Sequence, residues 1–250
     1  MFARSSLAVG ILSFGLASAA GGSVVVNYTV DAGGNNNNPL NGLAARATFT
    51  TTGTTMTVLL ENTSTGLPSG FQVGDAFLVS LGFNLPTGVN IVSGTSAVIG
   101  PGSIGLAQWS GRGPGDSVGG EWLWTNDFGG DEMEAGGAVA SRQVFSTSNG
   151  QGGGLTFRFD GGSGTVNGPH GGIVSDPPQL ALPGSSRGVS DGIVFTVTLS
   201  GLLTEDQLAA VAGGSVVEFG SDMQYLTVIP TPASLALLGA AGLIAVRRRR

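Results

Sequence analysis

The amino-acid sequence predicts an all-β fold, which we interpret as a jelly-roll-like β-sandwich with one short helix. Runs rich in β-branched residues recur through the middle of the chain, as is typical of strands. Glycine-rich stretches separate these runs, and all of the 45 glycines except Gly10, Gly15, Gly239 and Gly242 lie between residues 20 and 229. So much glycine indicates turns and loops rather than helices. An irregular β-solenoid is the alternative, although no repeat of fixed period supports it.

Strands are predicted in order along residues 20–229, the glycine-rich β domain of the chain. Gly53 lies in the turn of a hairpin formed by residues 45–51 and 55–61. The strongest strand signal is the run at residues 193–199. The other predicted strands cover residues 23–30, 76–85, 89–99, 155–159, 215–219 and Gln224–Val228.

The main helix predicted in this domain covers residues 204–212. Thr204 and Gln207 fit a capping box, in which the threonine hydroxyl accepts from the third helical amide and the glutamine side chain reaches back. Leu203 and Leu208 occupy the two positions of a hydrophobic staple, and Gly213 ends the helix.

The charge of the β domain excludes one class of partner. Residues 20–229 hold five arginines, no lysine and all sixteen acidic residues, which gives a formal charge of −11. Such a surface repels nucleic acid, so we expect no nucleic-acid partner. Cysteine is absent, so the fold depends on its core or on bound ions rather than on disulfides.

Residues 1–19 have the three parts of a secretory signal peptide. Arg4 supplies the positive region, residues 7–16 are apolar, and Ala17-Ser18-Ala19 places small residues at the cleavage positions. The sequence therefore predicts export, with a mature chain that begins at Ala20 or Gly21.

Residues 230–250 combine two prolines, an apolar run and a cluster of arginines. The 14 residues from 233 to 246 reach about 21 Å as a helix, short of the hydrocarbon core of about 30 Å. Counting back to Leu226 gives 21 uncharged residues, but Pro230 and Pro232 interrupt a helix there. A buried helix of the domain core is the alternative, and the near absence of polar side chains disfavours it. The prediction is a marginal transmembrane helix whose arginines stop translocation and stay in the cytoplasm. These stop-transfer residues are Arg247, Arg248, Arg249 and Arg250.

This order of features resembles the PEP-CTERM sorting signal of Gram-negative bacteria over residues 228–250. The proposed sorting motif is Pro230, Thr231 and Pro232, with Thr231 where the best-known form of the signal has glutamate. The resemblance implies that an exosortase, a membrane processing enzyme, recognises the tail. It also implies a precursor in the inner membrane that then reaches the cell surface or the extracellular space. No catalytic residue is carried over, because the tail is the substrate of that enzyme.

Nucleophilic catalysis would require His170, the single histidine of the chain, with Ser117 as the nucleophile. Gly115-Asp116-Ser117 is superficially similar to a lipase motif, but that family needs an α/β fold and a C-terminal Asp-x-x-His block. Neither feature is present in this sequence. We therefore predict no catalytic residue and no enzymatic activity.

Acidic residues cluster at Asp127, Asp131, Glu132 and Glu134. Paired carboxylates can cleave glycosides, but a solvated acidic loop is the simpler interpretation. No cofactor is required, and Ca²⁺ is the ion that the sequence suggests, because it binds oxygen ligands. Asp127, Asp131 and Glu132 are its candidate ligands, although their spacing is not that of an EF-hand loop.

Three tryptophans are the candidate carbohydrate contacts: Trp109, Trp122 and Trp124. Trp122 and Trp124 share a face if residues 121–125 are extended, and two indoles could stack on sugar rings. The same residues could instead fill the core, which we consider the simpler interpretation.

Two functions follow from these features. The first is an exported, non-enzymatic protein of the cell surface or of the extracellular matrix of a biofilm, sorted through its tail. The second is a carbohydrate-binding or carbohydrate-active β-sandwich module on the same export route, with an extracellular polysaccharide as partner.

Overall fold

The computed structural model describes residues 21–34, 41–127, 141–147, 157–161, 171–220 and 223–228. The predicted signal peptide and sorting tail lie outside these residues. Within them the chain forms fourteen strands, one α-helix and two short 3-10 turns. The prediction of a mostly β domain with one helix is confirmed.

The first seven strands of the described chain include the two longest of the fold. In order they are β1 (Ser23–Gly33), β2 (Ala45–Thr52), β3 (Thr55–Asn62), β4 (Leu78–Phe83), β5 (Ile91–Ile99), β6 (Gly105–Ala107) and β7 (Leu123–Thr125). The 3-10 turns are Gly74–Ala76 and Gly119–Glu121.

The second half contains seven further strands and the helix. The strands are β8 (Gln143–Ser146), β9 (Phe157–Arg158), β10 (Gly171–Val174), β11 (Arg187–Ser190), β12 (Gly192–Leu199), β13 (Val216–Phe219) and β14 (Gln224–Val228). Helix α1 covers Glu205–Gly213.

All fourteen strands belong to one hydrogen-bonded sheet. Its main path runs β5, β12, β3, β2, β1, β14, β13, β4, β10, β11 and β6. A branch leaves β4 through β8 to β7 and β9. Nearly all pairs are antiparallel, and β10 with β11 is the parallel pair among the described strands. Antiparallel pairing between distant strands differs from the stacked repeats of the solenoid alternative.

The sheet folds back on itself around a core of aromatic rings. Phe195 of β12 lies 5.0 Å from the ring of Phe145 on β8 and 5.2 Å from that of Phe159, which follows β9. Phe49 of β2 meets Phe83 of β4 at 6.1 Å. These contacts show that the β5–β12–β3–β2 half of the sheet faces the β4–β8–β7–β9 half.

The hairpin and the helix form where the sequence predicts them. β2 and β3 form a hairpin in which Thr52 and Thr55 are the pair next to the turn. Gly53 lies in the two-residue turn between them with a φ of 59°. Thr204 accepts from the amide of Gln207 at 3.2 Å, and its own amide donates to Gln207 Oε1 at 2.9 Å. This is the predicted capping box.

The end of β14 changes one expectation for the tail. Leu226 pairs with Val217 of β13 and with Asp31 of β1, and it is buried. A transmembrane helix therefore cannot extend back to Leu226 while the sheet is intact. Among the described residues, no helix is long and apolar enough to cross a membrane.

Asp191 joins β11 to β12 in a left-handed conformation, with a φ of 71°. Burial raises the pKa of its carboxyl, and the neighbouring carboxylates of Glu61 and Asp176 raise it further against the opposing effect of Arg46. The folded state therefore holds this proton more tightly than the unfolded state. As the pH rises through the interval between the two pKa values, the free energy of unfolding falls.

Asp191→Asn is therefore expected to raise the stability of the protein slightly at pH 7. The substitution removes the desolvated charge, and asparagine tolerates the left-handed conformation. Thermal unfolding at pH 7 and pH 3 measures the effect. The gain should vanish at pH 3, below the ordinary aspartate pKa of about 3.9, because the carboxyl is then neutral in both states. A gain of equal size at both pH values would show that the charge is not its cause.

Candidate functional site, an arginine-lined cleft

A cleft of about 580 Å³ lies between the loop after β6, the second 3-10 turn, the end of β9 and the start of β11. Three of the five arginines of the β domain line it, namely Arg112, Arg158 and Arg187. We name this feature the arginine cleft. Its full lining is Gln108, Trp109, Arg112, Ser117, Val118, Gly120, Glu121, Arg158 and Arg187.

A tight loop after β6 places Trp109 and Arg112 in the arginine cleft. The amide of Gly105 donates to the Arg112 carbonyl at 3.0 Å, which closes the loop. A side chain at Gly105 would collide with the carbonyl of Trp109, so glycine is required there. Ala107, at the end of β6, has a φ of 53°, which is uncommon for a residue with a side chain.

Arg112 is held in place over the indole of Trp109. Its guanidinium carbon lies 5.5 Å from the ring centroid, and Nη1 donates to the Ser117 carbonyl at 2.8 Å. Trp109 itself is only 6% exposed. The indole therefore supports an arginine and does not present a free face for a sugar ring.

Arg187, the first residue of β11, is fixed by two partners. Its guanidinium forms an ion pair with Glu121, whose side chain is 10% exposed, and Nε donates to Gln108 Oε1 at 3.1 Å. The 3-10 turn that carries Glu121 packs against the end of β9, because Gly119 lies against the backbone of Asp160. A nearly buried carboxylate is thus already paired with a guanidinium in this cleft.

Arg158 differs from the other two arginines. It is the second residue of β9 and pairs with Leu123 of β7 in the sheet. Its Nε atom is buried and has no hydrogen-bond partner in the described part of the chain. Unpartnered buried donors are rare in folded proteins, so this atom needs an explanation.

Arg158 also lines a second cavity of about 340 Å³, which we name the aromatic cavity. There the ring of Phe157 stacks on Trp124 at 4.7 Å with 24° between the planes, and Phe157 is 52% exposed. The indole edge of Trp124 lies directly against Gly94, where any side chain would collide with it. Arg158 therefore lies between a polar cleft and a cavity with an exposed aromatic ring.

The electrostatic balance of the arginine cleft is opposite to that of the domain. Three guanidiniums and the carboxylate of Glu121 give its lining a formal charge of +2, whereas the β domain carries −11. The carboxylate of Asp160 lies near Gly120 at the rim and makes interactions of its own. The lining can therefore attract an anion locally, in a domain that repels anions as a whole.

The structure places all three predicted tryptophans in the protein interior. Trp122 is fully buried and packs edge-on against Phe195 at 4.9 Å, while Trp124 is 5% exposed. Trp122 and Trp124 therefore do not form an exposed stacking platform for sugars. Their burial agrees with the core interpretation, and Trp109 alone of the three lines the arginine cleft.

The remaining candidate residues are only partly described. Asp127 is exposed just after β7, with its amide donating to Thr125 Oγ1 at 3.2 Å. Ser117 is exposed beside Arg112. No group of three potential metal ligands occurs in the described ranges. The other candidates lie outside the described residues: Asp131, Glu132, Glu134, His170, Pro230, Thr231, Pro232 and Arg247–Arg250.

The three arginines of the cleft are not among the site residues that the sequence predicts. The signal that could have found them is the scarcity of positive charge, because residues 20–229 hold no lysine and only five arginines. What the sequence could not show is that residues 112, 158 and 187 meet in space.

The chain matches no protein-family model, no curated protein and no solved structure.

Proposed function

We propose that this chain is an exported, non-enzymatic protein of the cell surface or extracellular matrix, sorted and processed through its C-terminal tail. The observation that carries the proposal is the order of the tail: a proline pair, an uncharged run and four terminal arginines. The signal peptide at residues 1–19 supports it from the other end of the chain. An exosortase-like membrane enzyme is the proposed partner.

The position of β14 sharpens this proposal. β14 ends at Val228, so only Ile229 separates the folded sheet from Pro230. In a membrane-anchored precursor the β domain would therefore lie close to the outer face of the inner membrane. Prolines favour an extended backbone at this junction, and an extended backbone suits a processing enzyme.

The β domain is the exported cargo in this proposal. One hydrophobic core packs both halves of the sheet together. Because the chain has no cysteine, this packing holds the domain without disulfides. We interpret the two facing halves as the jelly-roll-like sandwich that the sequence suggests. The continuous hydrogen bonding through β1, β14 and β13 joins them at one side.

Deletion of residues 233–250 tests the proposal. Without the apolar run and the arginines the chain lacks a stop-transfer segment, so the protein should leave the inner membrane without processing. Immunoblots of membrane and soluble fractions, with an epitope tag after Ala20, measure the distribution in cells with and without the processing enzyme. Release of the deletion variant should be complete in both. If the variant stays in the membrane, the tail is not its anchor.

A second candidate function, carbohydrate binding, is favoured by one observation. The arginine cleft and the aromatic cavity adjoin at Arg158 and together offer guanidiniums and an exposed aromatic ring. Both volumes lie in the range of about 300–1,000 Å³ that is usual for ligand sites.

A further inference from the structure

We propose that the arginine cleft binds the carboxylate groups of an acidic polysaccharide, with Arg158 and Arg112 as the residues that contact uronate units. This inference rests on the second candidate function, carbohydrate binding, and names its ligand class. It does not depend on the sorting tail.

The first argument is that Arg158 forms no ion pair with a carboxylate of the described residues, where the ion pairs are those of Arg46 and Arg187. The Nε atom of Arg158 is buried without an acceptor among these residues, so a ligand would meet the terminal nitrogens of the guanidinium rather than Nε. The two oxygens of a ligand carboxylate match parallel donors of this kind.

The fixed positions of the neighbouring arginines are the second argument. Arg112 is held by Trp109 and by the Ser117 carbonyl, and Arg187 by Glu121 and Gln108. Arg112 is exposed and uses one donor in the hydrogen bond to Ser117, so other donors of its guanidinium remain available to a ligand. Little side-chain entropy is then lost when an anion binds, which favours affinity.

The aromatic cavity indicates a sugar rather than a small inorganic anion. Phe157 precedes Arg158 in β9 and is 52% exposed, although it stacks on Trp124. Consecutive side chains of a strand point to opposite faces, and β9 pairs with β7 alone among the described strands. One sugar unit would therefore pack its apolar face on Phe157 while Arg158, on the other side of this edge strand, holds the carboxylate of a neighbouring unit. A phosphate or sulfate ion would use only the arginines.

The overall charge of the domain does not prevent this binding. Charges separated by more than about 8 Å are largely screened at physiological ionic strength. The lining residues carry +2, and the rim carboxylate of Asp160 lowers this to +1, so the cleft stays locally positive at short range while the surrounding acidity slows the approach of a polyanion.

The test uses the full chain purified in a non-ionic detergent, with EDTA present to exclude calcium bridging. Oligogalacturonate is the acidic probe, and its fully methyl-esterified form is the matched neutral probe. We expect calorimetric binding of the acid and little binding of the ester. Arg158→Gln and Arg112→Gln should each lower the affinity for oligogalacturonate about tenfold or more, as expected for the loss of a hydrogen bond to a charged group.

Two further variants separate charge loss and unfolding from ligand contact. Arg142→Gln removes the same charge at an exposed residue that does not line the cleft, so affinity should stay unchanged. Phe157→Ala removes an exposed ring. It should lower the affinity for oligogalacturonate and leave the weak binding of inorganic phosphate unchanged. Thermal unfolding of each variant confirms that it is folded.

Each other outcome overturns a defined part of the proposal. Equal binding of acid and ester would exclude carboxylate recognition but leave carbohydrate binding in place. Binding of neither probe would exclude both the inference and the second candidate function. If phosphate or sulfate at equal concentration binds as tightly as oligogalacturonate, the cleft is a small-anion site. An equal loss in Arg142→Gln and Arg158→Gln would show that the cleft is not involved.

Discussion

Trp122→Ala is expected to lower the free energy of unfolding by about 3–5 kcal/mol, the usual cost of removing a large aromatic side chain from a core. Trp122 is fully buried and contacts the ring of Phe195 at 4.9 Å. Phe195 in turn meets Phe145 and Phe159, so the cavity would open where the two halves of the sheet face each other. A loss of this size is a large part of the roughly 5–15 kcal/mol that a typical domain has.

Trp122→Phe is the matched control for this prediction. The indole Nε1 is buried without a hydrogen-bond partner among the described residues, so phenylalanine removes an unsatisfied donor and keeps a ring against Phe195. Trp122→Phe should therefore lower the free energy of unfolding clearly less than Trp122→Ala does. Urea unfolding followed by circular dichroism measures both. If Trp122→Ala unfolds at the same urea concentration as the parent, Trp122 is not a core residue.

Replacing Pro230 and Pro232 together by alanine is expected to trap the precursor in the inner membrane. Without the prolines a helix can extend upstream as far as Ile229, the residue that follows the end of β14. Residues 229–246 would then form a span of about 27 Å, close to the hydrocarbon thickness of about 30 Å. The extended backbone available to a processing enzyme would be lost at the same time.

The elements predicted correctly are those with a local cause. The capping box of Thr204 and Gln207 and the turn at Gly53 depend on residues next to each other in the chain. β12 was predictable because five of the seven residues from 193 to 199 are β-branched, and β14 because aromatic, aliphatic and β-branched residues follow one another from 225 to 228. Such signals can be recognised in a single sequence because residues within a few positions of each other produce them.

The short strands β6, β10 and β11 had no such signal. Each has only three or four residues, and each contains glycine, so neither periodicity nor propensity identifies them. Their partners hold them in the sheet: Gly171 lies so close to the Arg187 carbonyl that no side chain would fit. Pairing with distant strands creates these elements, and a single sequence does not show it.

The candidate site was predictable only in part for the same reason. Trp109 was identified as a candidate contact, and it does line the arginine cleft. Its role differs, because Arg112 covers one face of the indole. Arg158 and Arg187 come from other segments of the chain, and their meeting with Arg112 depends on the sheet order. The sequence does show that positive charge is scarce in this domain, which makes a cluster of three arginines unusual.

Fractionation of the Pro230→Ala/Pro232→Ala variant tests the central claim, sorting through the tail, most directly. An epitope tag after Ala20 follows the β domain through inner-membrane, outer-surface and extracellular fractions, beside the parent chain. We expect uncut precursor of full tail length to accumulate in the inner membrane, while the parent is converted to a shorter form outside it. If the variant leaves the membrane as readily as the parent, the proline pair is not a processing signal and the sorting proposal is wrong.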